Sequence, residues 1–219
     1  PKATIVVSPS DHLVLDVNEF QRVLSSAVDF ASTSDAIITL GMKPTRPETG
    51  YGYIQTDMSC PSVRNKEIYR VDAFKEKPDL STAEQYIRKP NMLWNAGIFI
   101  WNVSTIVNAL RVYAPEINNI FENLLPIYGT PKEQDSINEE FPRCESISVD
   151  YAILEKSEEI YCFPASFGWS DLGTWGSLYE LSEKDESENV TLHCDATYYD
   201  SHGNIVTLTK GQLAIIQGL

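Results

Sequence analysis

A conformationally restrained loop rich in polar and aromatic side chains runs from Pro44 to Tyr53. Its two prolines fix the backbone φ angle, and its two glycines allow conformations that other residues avoid. Arg46 and Glu48 supply a guanidinium and a carboxylate between these hinges, with hydroxyl and aromatic groups beside them. Such groups are suited to binding a polyhydroxylated, phosphorylated small molecule. The alternative interpretation is an ordinary turn-rich surface loop.

Two aspartates occupy loops where a parallel sheet usually presents its ligands. Asp11 follows the strand-like run Thr4–Val7, and Asp171 lies in a glycine-flanked loop before a predicted helix. Two carboxylates that converge there can hold Mg²⁺, with water and phosphate oxygens completing its octahedral shell. For each aspartate alone, a turn or cap role is the alternative.

Three further polar residues are candidates for binding a sugar phosphate. Glu76 and Lys77 end a predicted strand just before a proline, where the carboxylate can accept hydrogen bonds from hydroxyls and the ammonium can meet a phosphate. A solvated strand end is the alternative for this pair. Asn95 interrupts an apolar run, and its amide requires partners from the backbone or from a bound polyol, because an unpaired buried amide costs about 1–3 kcal/mol.

The composition excludes several classes of partner. The 219 residues carry a formal net charge of −14, which argues against a nucleic-acid or anionic-membrane surface. No apolar run approaches the roughly 20 residues that span a bilayer. We therefore expect no nucleic-acid partner, no membrane association and a cytoplasmic location. The sequence is compatible with a homo-oligomer.

Motifs for several common chemistries are absent from the sequence. The four cysteines form no C-x-x-C pair, and we expect all four to be reduced. No G-x-S-x-G elbow accompanies the three histidines, so nucleophilic catalysis by serine is unsupported. Neither of the common glycine-rich phosphate loops, G-x-x-x-x-G-K-[ST] and G-x-G-x-x-G, is present.

The hydrophobic pattern predicts alternating strands and helices that position these groups. Thr4–Val7 and Ala36–Leu40 are predicted strands on either side of an amphipathic helix, which implies parallel pairing through a right-handed crossover. A short helix is predicted from Ser81, with Ser81 as its cap. Other predicted strands and helices follow; the strands are 51–55, 67–74, 93–101 and 160–164, and the helices are 103–112, 115–125, 132–141, 148–156 and 174–181.

The last part of the chain differs in its composition and hydrophobic pattern. Residues 182–189 are charged and are interpreted as a linker. Residues 190–219 alternate in short strands broken at glycines, which predicts a β-meander or the first turns of a β-solenoid. A segment this short is interpreted as a β-rich appendage or a truncated second domain.

Taken in order along the chain, six motifs resemble those of the mannose-1-phosphate guanylyltransferases, a group of sugar nucleotidyltransferases. The resemblance covers roughly residues 5 to 181. The motifs are Ser8-Pro9-Ser10-Asp11-His12, the loop Pro44 to Tyr53, Phe74-Lys75-Glu76-Lys77-Pro78, Trp94-Asn95-Ala96-Gly97-Ile98-Phe99, Ser148-Val149-Asp150-Tyr151-Ala152 and Trp169-Ser170-Asp171-Leu172-Gly173-Thr174-Trp175.

The resemblance implies a Rossmann-like α/β fold with a mixed, mostly parallel sheet flanked by helices. It also implies an enzyme that forms GDP-mannose and pyrophosphate from GTP and mannose 1-phosphate. Asp11 and Asp171 match the family's metal-binding aspartates for Mg²⁺ and are expected to be catalytic, as is Lys77, which matches the lysine near the sugar phosphate. The positions that match those contacting the sugar are Gly52, Glu76 and Asn95.

One departure from the family pattern concerns the nucleotide. The family has a glycine-rich loop bearing Arg and Lys that holds guanine and triphosphate, and this sequence contains no such loop. We therefore expect residues 1–181 to be the C-terminal portion of a nucleotidyltransferase domain, from a parent enzyme, without activity on their own. A non-catalytic sugar-nucleotide-binding regulatory subunit and a nucleotidyltransferase for glucose 1-phosphate are the alternatives.

Overall fold

The computed structural model describes residues 3–219, which divide into two compact units. The first comprises residues 3–10 and 14–169, and the second comprises residues 11–13 and 170–219. Among the described helices, none combines the length and the apolarity that a membrane crossing requires.

The chain forms short strands and helices in the following order. The first half contains β1 (Thr4–Val7), β2 (Leu13–Val14), α1 (Val17–Ser32), β3 (Ile37–Met42), β4 (Tyr53–Pro61), β5 (Tyr69–Lys75), α2 (Leu80–Tyr86) and β6 (Met92–Asn102). The second half contains α3 (Val103–Tyr113), α4 (Pro115–Leu124), α5 (Glu133–Glu140), a 3-10 turn (Phe141–Arg143), a π-helical turn (Asp150–Leu154), β7 (Ile160–Ala165), β8 (Trp169–Ser170), α6 (Trp175–Leu181), β9 (Val190–Leu192), β10 (Asp195–Tyr199), β11 (Ile205–Thr207) and β12 (Leu213–Gln217).

A six-stranded sheet organises the first unit, in the order β1-β6-β3-β7-β5-β4. The 11-residue strand β6 has three neighbours, because it pairs with β1, with β3 and, through Met92–Trp94, with β4. Strand β3 lies between β6 and β7 and is buried along its whole length. The sheet therefore has its most apolar strands at the centre and the partly exposed β1 at an edge.

The predicted direct pairing of β1 with β3 is wrong. Both strands run antiparallel to β6, so they point the same way, but β6 lies between them. The physical reason is burial: β6 is apolar on both faces and takes the covered position next to β3. Parallel pairing is also less extensive than expected, since among the described ladders of this sheet only β3–β7 is parallel.

Two other local predictions need correction. Helix α2 is capped by Asp79, whose Oδ1 accepts the Thr82 backbone N–H at 2.7 Å, while Ser81 donates its hydroxyl to the same carboxylate. Aspartate two residues earlier is thus the acceptor for the helix end. The predicted helix over residues 148–156 is a single π-helical turn, closed by the Glu155 N–H bonding to the Asp150 carbonyl at 2.9 Å.

Hydrophobic clusters cover both faces of the sheet. On one face α1 buries Val23, Ala27 and Ala31 in a cluster that also contains Ile38 from β3. On the other face the π-helical turn buries Ile153 in a cluster that contains β3 and β6 residues. The predicted α/β class, a mixed sheet flanked by helices, is confirmed.

The second unit contains parallel two-stranded ladders. Strand β9 pairs with β11, and β10 pairs with β12. The Asn204 side chain donates to Asn189 Oδ1 at 2.9 Å, so asparagines bond between successive turns of chain. A β-solenoid has such parallel ladders, whereas a meander pairs its strands antiparallel. The predicted boundaries at residues 181 and 190 stay predictions.

Candidate functional site

The loop from Pro44 to Tyr53 is folded onto itself and onto β6. The Arg46 guanidinium lies 5.3 Å from the centre of the Trp94 ring and forms a 3.2 Å ion pair with Glu48. The other Glu48 oxygen accepts the Gly50 N–H at 3.1 Å, and the Glu48 carbonyl accepts the Tyr53 hydroxyl at 2.9 Å. Arg46 and Glu48 therefore hold the loop in one conformation.

The aromatic residues of this region form an apolar wall next to the loop. The Tyr51 ring packs edge-on against Trp94 at 5.2 Å and against Trp169 at 5.4 Å. Tyr51 and Trp94 are both buried. This packing holds the chain in place immediately before Gly52, which begins the polar part of the site.

Gly52 and Glu76 are in direct contact. A β-carbon added to Gly52 would lie 2.6 Å from the Glu76 Oε2 atom and 3.2 Å from the Phe74 ring. A side chain at residue 52 would therefore displace the carboxylate. The absence of a side chain is what allows Glu76 to lie against the backbone at the start of β4.

Asn95 lies within β6, and both its backbone N–H and its side-chain amide form hydrogen bonds at this site. Its backbone N–H donates to the Gly52 carbonyl at 2.8 Å. Its side-chain Oδ1 accepts the Thr39 hydroxyl at 2.8 Å and the Gly97 N–H at 3.2 Å. Its Nδ2 donates to Asp150 Oδ1 at 3.2 Å. Asn95, the polar residue in an apolar run, thus forms its hydrogen bonds with protein groups. These bonds join β3, β6 and the π-helical turn.

Lys77 is brought next to Glu76 by an unusual backbone conformation. In a continued strand these two neighbours would face opposite ways, but Lys77 adopts a positive φ of 42°. Its ammonium lies 3.7 Å from Glu76 Oε1. The lysine side chain is 64% exposed and the glutamate side chain 12% exposed, so the cation faces solvent while the carboxylate is largely shielded from it.

Two partly buried carboxylates with raised pKa values, Glu76 and Asp150, lie at this site. Burial raises the pKa of Glu76, and the negative charge of Asp150 raises that pKa further, while Lys77 lowers it. Burial is also the main cause of the raised pKa of Asp150, opposed by hydrogen bonds and by Lys77. Paired carboxylates with raised pKa values are typical of binding and catalytic sites.

Sequence reasoning assigned no role to Asp150. The residue stands in one of the six ordered motifs, but in a segment predicted to be helical, where a carboxylate is ordinary on a solvated face. The structure brings together Gly52, Glu76, Lys77 and Asn95 in the first unit and adds Asp150 to them. The signal that could have singled out Asp150 is its position two residues before the apolar residues 152–154.

The two candidate metal ligands, Asp11 and Asp171, both belong to the second unit. Asp11 is exposed, and Asp171 is partly buried. Asp171 Oδ1 accepts the Gly173 N–H at 3.0 Å, and the Ser177 hydroxyl lies 3.4 Å from the same oxygen. A β-carbon on Gly173 would lie 2.6 Å from Asp171 Oδ2, so this glycine leaves room for the carboxylate.

Asp11 and Asp171 each carry the kind of oxygen ligand that a magnesium ion prefers. Within residues 3–219 no group of three or more His, Cys, Asp or Glu side chains is arranged to hold a metal. Mg²⁺ is commonly bound by one or two carboxylates and completes its shell with water and phosphate oxygens. Two aspartates, one of them oriented by hydrogen bonds to its Oδ1, are compatible with that mode.

Comparisons with known proteins identify the family of the chain. The nucleotidyl transferase family model matches residues 1–188. Over 213 residues the chain is 33% identical to mannose-1-phosphate guanylyltransferase of Escherichia coli, covering 97% of this chain and 46% of that protein. Over 218 residues it is 32% identical to the alginate biosynthesis protein AlgA of Pseudomonas aeruginosa, covering 98% of this chain and 44% of that protein.

A solved structure supports the same assignment. The crystal structure of mannose-1-phosphate geranyltransferase from Thermus thermophilus superposes with a TM-score of 0.82 at 31% identity, covering 99% of this chain and 61% of that chain. The chain thus spans less than half the length of the two curated relatives it matches. With a family model over most of its length and this shared fold, the chain belongs to the nucleotidyl transferase family of enzymes.

Proposed function

We propose that the protein carrying this chain is a mannose-1-phosphate guanylyltransferase, which forms GDP-mannose and pyrophosphate from GTP and mannose 1-phosphate. The observation that carries the proposal is the cluster of Gly52, Glu76, Lys77 and Asn95 in the first unit. These four residues are the ones that the ordered motifs associate with the sugar phosphate. The similarity to proteins named mannose-1-phosphate guanylyltransferase supports the same substrate.

In this proposal the residues of the first unit bind and orient the sugar phosphate. The Glu76 carboxylate accepts hydrogen bonds from sugar hydroxyls, and the Asn95 amide adds a further polar contact. Gly52 leaves space for the Glu76 carboxylate against the backbone, which places that carboxylate for the sugar. The exposed Lys77 ammonium meets the phosphate as a point charge, and its distance of 3.7 Å from Glu76 keeps both groups within reach of one small ligand.

The proposed reaction is an in-line displacement at phosphorus. An oxygen of the sugar phosphate attacks the α-phosphorus of GTP, and the bond from that phosphorus to the bridging oxygen of pyrophosphate breaks. Negative charge on the phosphates is the main obstacle, so positioning and charge neutralisation supply most of the catalysis. Lys77 contributes one of the positive charges, and no covalent intermediate with the enzyme is required.

Magnesium is the proposed cofactor. Asp11 and Asp171 are the residues that would hold it, and it would supply neutralisation of phosphate charge when bound. The contacts of Gly173 and Ser177 with Asp171 Oδ1 orient that carboxylate in its loop.

We further propose that the 219-residue chain by itself does not form GDP-mannose. The family pattern places guanine and triphosphate on a glycine-rich loop with Arg and Lys, and this sequence contains no such motif. Production of GDP-mannose by the purified 219-residue chain would disprove this part of the proposal.

The function is tested on the full-length protein that carries this chain. GTP is supplied with mannose 1-phosphate or with glucose 1-phosphate, with and without Mg²⁺, and the nucleotide sugar is identified by mass spectrometry. We expect Mg²⁺-dependent GDP-mannose. A preference for glucose 1-phosphate would replace the mannose assignment. Binding of GDP-mannose without Mg²⁺ and without turnover, measured by calorimetry, would instead identify a regulatory subunit.

A further inference from the structure

The Asn95 amide is held in one orientation by partners of opposite hydrogen-bonding character. The Gly97 backbone N–H can only donate, so the atom it meets at 3.2 Å must be the amide oxygen. At the other end an ionised Asp150 carboxylate can only accept, so the atom it meets at 3.2 Å must be the amide nitrogen. These two contacts exclude the flipped amide, which would set one donor against another and one acceptor against another.

The same contacts determine which part of Asn95 remains for a ligand. Its Oδ1 already accepts two hydrogen bonds, from Thr39 and Gly97, and so uses both of its lone pairs. Its Nδ2 gives one hydrogen to Asp150. Within the described residues the second Nδ2 hydrogen has no protein acceptor. Asn95 therefore faces a ligand as a donor.

A π-helical turn brings Asp150 to this place. The turn runs from Asp150 to Leu154, and Ile153 and Leu154 are buried beneath the sheet. Its i→i+5 bond, from Glu155 N–H to the Asp150 carbonyl, encloses one more residue than the i→i+4 bond of an α-helix. Single π turns occur often at functional sites. The apolar anchor thus fixes a carboxylate 55 residues away in sequence from its amide partner.

We propose that Asp150 is a positioning residue: it holds the Asn95 amide so that Nδ2 donates to a hydroxyl of the bound sugar phosphate. The inference rests on the proposed function and adds to it a residue and a direction of hydrogen bonding. Asp150 acts through Asn95, and the ligand group that Asn95 selects is a hydroxyl or another acceptor oxygen.

A double-mutant cycle on the full-length protein tests the inference. The variants are Asp150→Ala, Asn95→Ala and the double variant, and the KM values for mannose 1-phosphate and for GTP are measured separately. We expect Asp150→Ala to raise the KM for mannose 1-phosphate about tenfold, because the Asn95 amide loses its charge-assisted hydrogen bond to the carboxylate. The KM for GTP should stay within about twofold of wild type. Because the carboxylate acts through the amide, the double variant should match Asn95→Ala alone.

Two further variants keep the test independent of folding. Asp150→Asn retains the shape and a neutral acceptor, so it should restore most of the mannose 1-phosphate KM. Asp135→Asn, an exposed position in α5, is the matched control and should behave as wild type. Thermal melts of all variants identify any that are unfolded, and the conclusion is then drawn from Asp150→Asn and its cycle with Asn95→Ala.

The outcomes separate this inference from the function on which it rests. Additive effects of the two substitutions, or equal increases in both KM values, would overturn the positioning role while leaving the guanylyltransferase activity intact. A wild-type protein that forms no GDP-mannose would overturn the proposed function and this inference with it.

Discussion

The carboxylate of Glu76 occupies the space that a side chain at residue 52 would fill. A β-carbon on Gly52 would approach Glu76 Oε2 to 2.6 Å, well inside ordinary contact. Because Glu76 follows β5 and Gly52 precedes β4, this contact fixes the carboxylate against the neighbouring strand of the hairpin. Gly52 does not have a positive φ, so its backbone conformation does not require glycine. Glycine is needed here because its missing side chain makes room for the Glu76 carboxylate.

Replacing Gly52 with alanine should weaken sugar phosphate binding and leave the fold intact. The new methyl group displaces the end of a flexible side chain and presses by a few tenths of an ångström on the Phe74 ring. We expect the KM for mannose 1-phosphate to rise about tenfold as Glu76 loses its hydrogen bonds to the sugar. The matched control is Gly50→Ala, whose β-carbon meets only Glu48 at 3.4 Å. Equal effects of the two substitutions would contradict this explanation.

Glu76→Gln should stabilise the protein at neutral pH while weakening substrate binding. The folded state raises the Glu76 pKa, so between the ordinary carboxylate pKa and the raised one the folded chain binds more protons than the unfolded chain. The contribution of Glu76 to the free energy of unfolding is thus fully present below the ordinary carboxylate pKa. It is lost as the pH rises through the raised pKa. Glutamine has no charge to bury and avoids that loss.

Urea unfolding at pH 8 and at a pH near the ordinary carboxylate value of about 4 measures this effect. The free energy of unfolding of Glu76→Gln should exceed that of wild type at the higher pH, with the difference shrinking at the lower one. Asp150 and Lys77 remain next to the site in both proteins, so they affect the comparison only through their coupling to residue 76. Glu84→Gln, an exposed change in α2, is the control. A pH-independent difference would refute a titration origin.

Gly173→Ala should weaken the response to magnesium. Its β-carbon would lie 2.6 Å from Asp171 Oδ2 and would move the proposed metal ligand. Changes in the groups that orient a metal ligand typically cost about 10–100-fold in metal affinity, so half-maximal activity should need at least about tenfold more Mg²⁺. Asp171→Asn should lose the activity, whereas Asp195→Asn, an exposed change in β10, should not. An unchanged magnesium titration curve for Gly173→Ala would contradict the assignment.

Cys162 should resist thiol reagents until the protein unfolds. It is fully buried in β7, and burial raises the pKa of its thiol, which lowers its thiolate fraction. Cys60 is exposed on β4 and should react quickly. Labelling with iodoacetamide, read by peptide mass spectrometry with and without urea, should modify Cys60 in both samples and Cys162 only in urea. Native labelling of both residues at one rate would show that the sheet opens readily.

Much of the first unit follows from hydrophobic spacing. The apolar residues of α1, among them Val23 and Ala27, recur at helical intervals and are buried as predicted. Pro115 at the first turn of α4 marked the break after α3. The order of the strands in the sheet could not be predicted from this spacing. Strand β6 is apolar enough to lie beside β1, β3 or β4, and only the long-range pairing in the folded protein shows that it contacts all three.

The candidate site was only partly accessible from sequence. Glu76 and Asn95 were singled out by their polar character at the end or in the middle of apolar strands. Their proximity depends on the sheet order, and the position of Lys77 depends on a positive φ that a lysine rarely adopts. Asp150 reaches the site on a π-helical turn, whereas the hydrophobic pattern predicted an α-helix over this segment. The roles of these residues stay predictions.

The parallel pairing of β3 with β7 determines when the central sheet can be completed during synthesis of the chain. Ile37 of β3 is in register with Ile160 of β7, so the central strand leaves the ribosome long before its second neighbour. Until then one edge of a strand that is fully buried in the folded protein stays open to other chains, and that edge is a template for intermolecular pairing. Chains interrupted before Ile160 should therefore aggregate, and chains that extend past Ala165 should close the sheet.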